Sequence, residues 1–141
     1  MKWIIVDQLK ENSSIEKVEK IWNIKFPKNF IVIVEENNGA SPEKDAFDSE
    51  VSKERVFNRL LNFNSDSKEN ILKTYEWIKD RLPKKVYPFA NDSFGNYICF
   101  DYIKGDIPKI VFANYETGKT EKNFGIENVS DTFEEFLEKL Y

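Results

Sequence analysis

The spacing of apolar positions divides the chain into a largely helical first half and a β-rich second half that ends in one more helix. Ile15, Val18, Ile21 and Trp22 fall on one side of a helix opening at Ser13, with Glu16 at capping-box spacing and Asn23 as its stop. Pro27 suits the first turn of a second helix. The body of that segment, Ile31-Val32-Ile33-Val34, is β-branched and favours a strand on propensity alone. Phe30, Ile31 and Val34 nevertheless share a helical face, and Asn38-Gly39 reads as a left-handed cap, so the segment is read as helix. Residues 40–50 are expected as a loop and Val56 to Phe63 as a strand with Phe57, Leu61 and Phe63 on one side. Asp66 and Glu69 have the spacing to cap a third helix, whose buried stripe is Ile71, Tyr75, Ile78 and Leu82 and whose end is Pro83.

The period then changes. Val86 to Ala90, Tyr97 to Phe100, Lys109 to Tyr115 and, more weakly, Thr120 to Phe124 read as strands. The turns between them, Asn91 to Asn96, Lys104 to Asp106 and Glu116 to Lys119, are short and rich in residues that tolerate positive φ. That spacing predicts an antiparallel meander. Asp131 and Glu134 open a last helix with Phe133, Phe136, Leu137 and Leu140 on one face. The expected architecture is α+β, with about four helices packed on a mostly antiparallel sheet in a single domain spanning 1–141.

Composition narrows the chemistry. The 141 residues hold 21 Lys+Arg, 25 Asp+Glu, one Cys and no His, for a formal net charge of −4. Without His there is no Ser-His-Asp or Cys-His machinery and no imidazole metal ligand. One Cys makes neither an internal disulfide nor a thiolate zinc site. No cofactor and no metal are expected. A pI near 5.1 argues against direct nucleic-acid binding, which needs clustered cations. The longest apolar run, Phe30 to Val34, falls far short of the ~20 residues that span a bilayer. The expectation is a soluble protein kept in a reducing cytosol.

Four segments in order resemble the SUKH superfamily, the Smi/Knr-type cell-wall regulator and immunity proteins. They are the opening helix with Phe26-Pro27, Phe30 and Asn38-Gly39; Val86-Tyr87-Pro88-Phe89-Ala90; Gly95-Asn96-Tyr97-Ile98-Cys99-Phe100-Asp101; and Pro108 to Phe112 leading to Phe133-Glu134-Glu135-Phe136-Leu137. The sequence departs from relatives that carry a Gly-rich stretch after Asn-Gly, since Ala40-Ser41-Pro42 follows Gly39. The resemblance implies a SUKH-like α+β fold and a non-catalytic binding role. It implies a bacterial immunity protein that neutralises a cognate polymorphic or contact-dependent toxin, a basic nuclease-type toxin domain among the candidates. The alternative is a regulatory or scaffold protein-binding domain of the Smi/Knr type.

Charge placement suggests where a partner binds. Residues 40–50 carry Glu43, Asp45, Asp48 and Glu50 against Lys44, and residues 126–141 carry five acids against Lys139. The region of the third helix is basic, with Lys68, Lys73, Lys79, Arg81, Lys84 and Lys85. An acidic face of this kind steers a basic partner, although solvated helix faces produce the same pattern. The candidate partner-binding residues are Asp45, Asp48, Glu50, Asp92, Asn96 and Asp101. Asp92 and Asn96 either present polar groups or simply form a hairpin turn, and Asp101 either takes a partner's Arg or caps nearby amides. Cys99, with no His to activate it, reads as a buried inert thiol. Lys119-Thr120 after Gly118 lacks the upstream Gly of a phosphate loop and is rejected as one. An enzyme built on these residues would have to rest on carboxylates alone, Asp92 and Asp101 being the pair to test.

Overall fold

A computed structural model describes residues 1–118, 120 and 122–141. The chain begins with a short strand β1 (Trp3–Ile4) and helices α1 (Ser13–Trp22) and α2 (Lys28–Asn37). α1 buries Ile15, Val18, Glu19 and Trp22. Ile21, expected on this face, is 58% exposed. Glu19 holds the place instead because its Oε2 accepts the Phe26 N–H at 2.8 Å, which removes the cost of an unpaired polar group there. The expected Ser13 cap also does not form. Asn12 is the capping residue, without a side-chain bond, and the Ser14 N–H goes to the Glu11 carbonyl at 3.1 Å. Asn23 ends the helix in the left-handed region at φ 56.

α2 is a helix despite its β-branched run, and packing explains why. Phe30 is fully buried and meets Phe26, Phe63, Phe89, Phe100 and Phe133 at centroid distances between 5.0 and 6.2 Å. Burial of one such ring contributes about 1.5–3 kcal/mol, more than the propensity difference opposing it. Val32 takes the solvent side.

Residues 40–50 are not a plain loop. They contain β2 (Ser41–Pro42), paired with β1, and β3 (Ala46–Phe47), with Phe47 fully buried. The strand expected over 56–63 is broken into β4 (Arg55–Val56), paired with β3, and β5 (Arg59–Leu60), which joins the main sheet. Phe57, Leu60, Leu61 and Phe63 are all buried, because the chain changes partners between these two strands and loses its alternation.

α3 (Ile71–Ile78) is capped by Asn70, whose Oδ1 accepts the Leu72 and Lys73 N–H groups. The expected Asp66–Glu69 box is absent. Asp66 pairs with Lys10 at 2.5 Å, and Glu69 accepts from Asn91 Nδ2 at 2.7 Å. A 3₁₀ turn over Lys79–Arg81 follows. β6 (Val86–Asn91), β7 (Tyr97–Asp101), β8 (Lys109–Asn114) and β9 (Gly125–Ser130) complete a five-stranded antiparallel sheet in the order β5-β6-β7-β8-β9. The meander is as expected, but its last strand lies later than 120–124. A 3₁₀ turn over Tyr115–Thr117 lengthens the connection, and the described residues of 120–124 form no strand; Lys119 and Glu121 lie outside the described residues. α4 (Phe133–Lys139) opens one residue later than the Asp131–Glu134 box, with the Thr132 hydroxyl accepting the Glu135 N–H at 3.1 Å.

The fold is therefore α+β, with four α-helices among the described residues on a mostly antiparallel sheet. One sheet face carries Phe89, Ile98, Phe100, Ile110 and Phe112 into a Phe-rich core with α1, α2 and α4. Phe89 is the extra residue of a bulge between Pro88 and Ala90, where β6 shifts register against β7. The other face is thinner: Val86, Cys99, Val111 and Ala113 lie under Ile78 and Phe124. Cys99 is fully buried there, and burial pushes its thiol far above the usual range.

The Asn38-Gly39 pair has a specific role. Asn38 is fully buried; its Nδ2 donates to Asn62 Oδ1 and the Asp7 carbonyl, and its Oδ1 accepts the Phe63 N–H. Asn62 in turn donates to Asp7 Oδ2 at 2.8 Å. These bonds fix the N-terminal segment and the 62–64 strand exit to the end of α2. Gly39 has φ 68, and a Cβ there would stand 2.9 Å from Asn62 Nδ2, so no side chain fits.

Candidate partner-binding site

The acidic 48–50 segment reaches the far edge of the sheet through β9. The Glu50 N–H donates to the Asn128 carbonyl at 2.9 Å, and Glu50 Oε1 accepts the Asn128 N–H at 3.0 Å. Glu50 Oε2 takes Asn128 Nδ2 at 3.2 Å. Beneath this contact lies Glu127, 4% exposed. Its Oε1 accepts the hydroxyls of Ser49 at 2.6 Å and Ser52 at 2.9 Å, and its Oε2 accepts Asn114 Nδ2 at 3.1 Å. Beside it, β9 carries a bulge: Val111 pairs with Asn128 and Ile110 with Ser130, leaving Val129 as the extra residue. Such a kink re-aims neighbouring side chains at a sheet edge.

The result is a groove of about 650 Å³ between the 48–50 segment, the ends of β7 and β9, the 104–107 loop and α4. Five acids line it, Asp48, Glu50, Asp101, Asp131 and Glu135, against Lys104, Lys109 and Lys139. Ile107, 79% exposed, supplies an apolar rim. The acids are held in place. Asp48 Oδ1 accepts the Tyr141 hydroxyl at 2.6 Å and the Glu54 N–H at 3.0 Å. The Tyr141 bond, then the Glu54 amide, hold Asp48 below the usual carboxylate range. The two Asn128 donors do the same for Glu50. Asp101 is 7% exposed; its Oδ1 accepts the Ile103 N–H at 2.9 Å and its Oδ2 lies 4.0 Å from Lys109 Nζ. Lys109 Nζ also donates to Asn128 Oδ1 at 2.9 Å, so this lysine is engaged by the groove wall.

The six candidate residues thus separate into three groups. Asp48, Glu50 and Asp101 come together in the groove. Asp45 is exposed but outside the groove lining, and its carbonyl accepts the Phe57 N–H at 2.7 Å. Asp92 and Asn96 are at the opposite end of β6 and β7, 2% and 3% exposed. Asp92 accepts the Phe94 N–H, the Asn96 N–H and Asn96 Nδ2, and Asn96 Oδ1 accepts the Tyr115 N–H. Their polar atoms are spent inside the hairpin turn. Asp92 and Asp101 therefore stand at opposite ends of the sheet and form no carboxylate pair. Among the described residues no group of three His, Cys, Asp or Glu side chains is placed to hold a metal ion, and no helix is long and apolar enough to cross a membrane. The sequence reading missed Asn128 and the Val129 bulge, for which no local signal exists. It weighed Glu135 as part of a charged segment, and Asp131 as part of that segment and as a helix cap.

The order of elements that builds this groove matches a known family model, described as SMI1-KNR4 cell-wall within the SUKH group, over residues 12–137. The chain belongs to the SMI1-KNR4 family. A 71-residue stretch is also 32% identical to the SPbeta prophage-derived uncharacterized protein YokK of Bacillus subtilis (strain 168). That match spans 50% of this chain and 34% of the relative's length. In this SMI1-KNR4 member the Asn38-Gly39 and Gly95-Asn96 motifs serve the scaffold, and the groove lies at the other end of the sheet.

Proposed function

We propose that residues 1–141 form one SUKH-type domain that acts in the cytoplasm as an immunity protein, binding a cognate toxin one to one and covering its working surface. The observation that carries this reading is the groove itself: Asp48 and Glu50 are fixed by hydrogen bonds before any partner arrives. A basic toxin domain that recognises phosphates presents Lys and Arg, and fixed carboxylates meet them with little ordering cost. Their field also speeds capture. Membership of a family that includes toxin-immunity proteins supports the same reading, and occlusion requires no catalysis. Asp45, just outside the groove lining, extends the acidic rim toward the partner. Asp92 and Asn96 act from behind, by holding the hairpin.

Co-purification with the product of the adjacent gene tests this. The expected result is a one-to-one complex whose association slows about tenfold in the Asp48→Lys, Glu50→Lys variant and at high salt. If that neighbour is shown to be a toxin and no complex forms at micromolar concentration, the neutralising role is wrong. The family's cell-wall description keeps a regulatory binding role as the second reading. It expects a complex with a protein that is not toxic, through the same groove.

A further inference from the structure

The opposite end of the sheet carries a second surface that the groove does not use. Trp77 on α3 is 88% exposed and Phe94 at the β6–β7 tip is 70% exposed. Trp side chains offer about 150–250 Å² each and dominate interfaces wherever they are buried. Beside Trp77 runs a groove of about 320 Å³ lined by Leu61, Ile78 and Tyr97 together with Lys68, Glu69 and Arg81. The outer face of α3 and the turn after it present Lys73, Glu76, Trp77 and Asp80, spaced three, one and three residues apart. Glu76 is already paired with Lys79 at 2.7 Å. Lys73 Nζ donates to the Ser65 carbonyl at 2.8 Å, which leaves two of its three donors for others.

This stripe is complementary to itself in one orientation only. An antiparallel two-fold axis between Glu76 and Trp77 sets Lys73 of one copy against Asp80 of the other, twice, with the two indoles at the centre of the contact. A parallel pairing sets Lys73 against Lys73 and Asp80 against Asp80. Closed two-fold contacts are the commonest symmetric assembly and require this kind of self-complementary patch. We propose that this protein forms an antiparallel two-fold dimer through α3, with Trp77 as its anchor. The acidic groove, at the other end of β7, stays open to a partner in each copy, so the dimer is independent of the toxin-binding reading.

Sedimentation equilibrium of the full chain tests the proposal. The expected species has twice the 16.7 kDa chain mass and reverts to monomer in Trp77→Ser. Lys73→Asp and Asp80→Lys, each alone, weaken the dimer at least tenfold, and the double reversal restores it. All three positions are exposed, so thermal melts of the monomer stay unchanged. A monomer at every concentration up to millimolar overturns the proposal. So does a dimer that ignores Trp77→Ser, or one that ignores the single charge reversals.

Discussion

Two buried carboxyl groups, Glu127 at the groove end of the sheet and Asp92 at the tip end, solve the same problem by different routes. Each accepts three donors. Glu127 draws two of its three from Ser49 and Ser52, 78 and 75 residues away, and the third from Asn114. Asp92 draws all of its donors from Phe94 and Asn96, two and four residues on. The tip is a local turn that closes with little loop entropy. The groove rim exists only after β8, β9 and the 48–52 segment have come together. One end is fixed by its own turn, while the other, where the acids gather, depends on tertiary assembly.

Removing each carboxyl group separates the two devices. Glu127→Ala leaves the Asn114 amide and two hydroxyls under the rim without their acceptor, and we expect a loss of about 3 kcal/mol in urea unfolding. Amide exchange should quicken across residues 49–52 and at Asn128, and partner binding should weaken with it. Glu127→Gln keeps an acceptor oxygen and should lose less. Asp92→Ala comes second, at about 1–2 kcal/mol, because the donors it strands all lie in one short turn beside the exposed Phe94, which can shift locally to let water in. Its exchange changes should stay at Phe94 and Asn96. Equal losses, or loosening of the groove by Asp92→Ala, would break the distinction between a local and a long-range staple.

The same distinction decides what the sequence made legible. The meander, the end of α2 before Gly39, and the turn at 91–96 were readable because each is written in neighbouring residues: β-branched runs, a residue of positive φ, Gly and Asn between strands, although Asn38 is the extended capping residue of α2 and Gly39 sits in the tight turn after it. The family resemblance, carried by those same local segments, was readable for the same reason. Glu19 and Glu127 were not. Each looks like any surface acid until its partners arrive, the Phe26 amide for one and the Ser49, Ser52 and Asn114 groups for the other. The capping boxes at Ser13, Asp66 and Asp131 failed for a related reason. Asp66 found Lys10 instead, and in α4 Thr132 caps one residue later than Asp131, so spacing proposed a bond that tertiary geometry reassigned. Of the candidate partner residues, charge pointed to Asp48 and Glu50, which the fold brings together with Asp101 in the groove. The turn pattern that suggested Asp92 and Asn96 is present, with their polar atoms bonded inside the hairpin.

The smallest expected effect concerns pH, and it asks whether the groove is one unit or several. Asp48 and Glu50 sit below the ordinary carboxylate range in the folded chain, Asp48 through Tyr141 and Glu54, Glu50 through Asn128. A depressed folded value contributes stability that is present above the ordinary carboxylate range and is lost as pH falls through the lowered folded values. The Tyr141 hydroxyl is shifted the other way, raised by its bond to Asp48. Its contribution is complete below the ordinary phenol value, about 10, and is lost as pH rises through the raised one. Carboxyl-carbon NMR titration of Tyr141→Phe should move Asp48 back toward the ordinary range but not all the way, since the Glu54 amide remains at 3.0 Å. Glu50 should titrate as before, because its donors belong to β9 and not to Tyr141. A Glu50 curve that follows the Tyr141 substitution would mean that the two acids are coupled across the 48–50 segment, and that the groove is tuned as a whole rather than assembled from separate bonds.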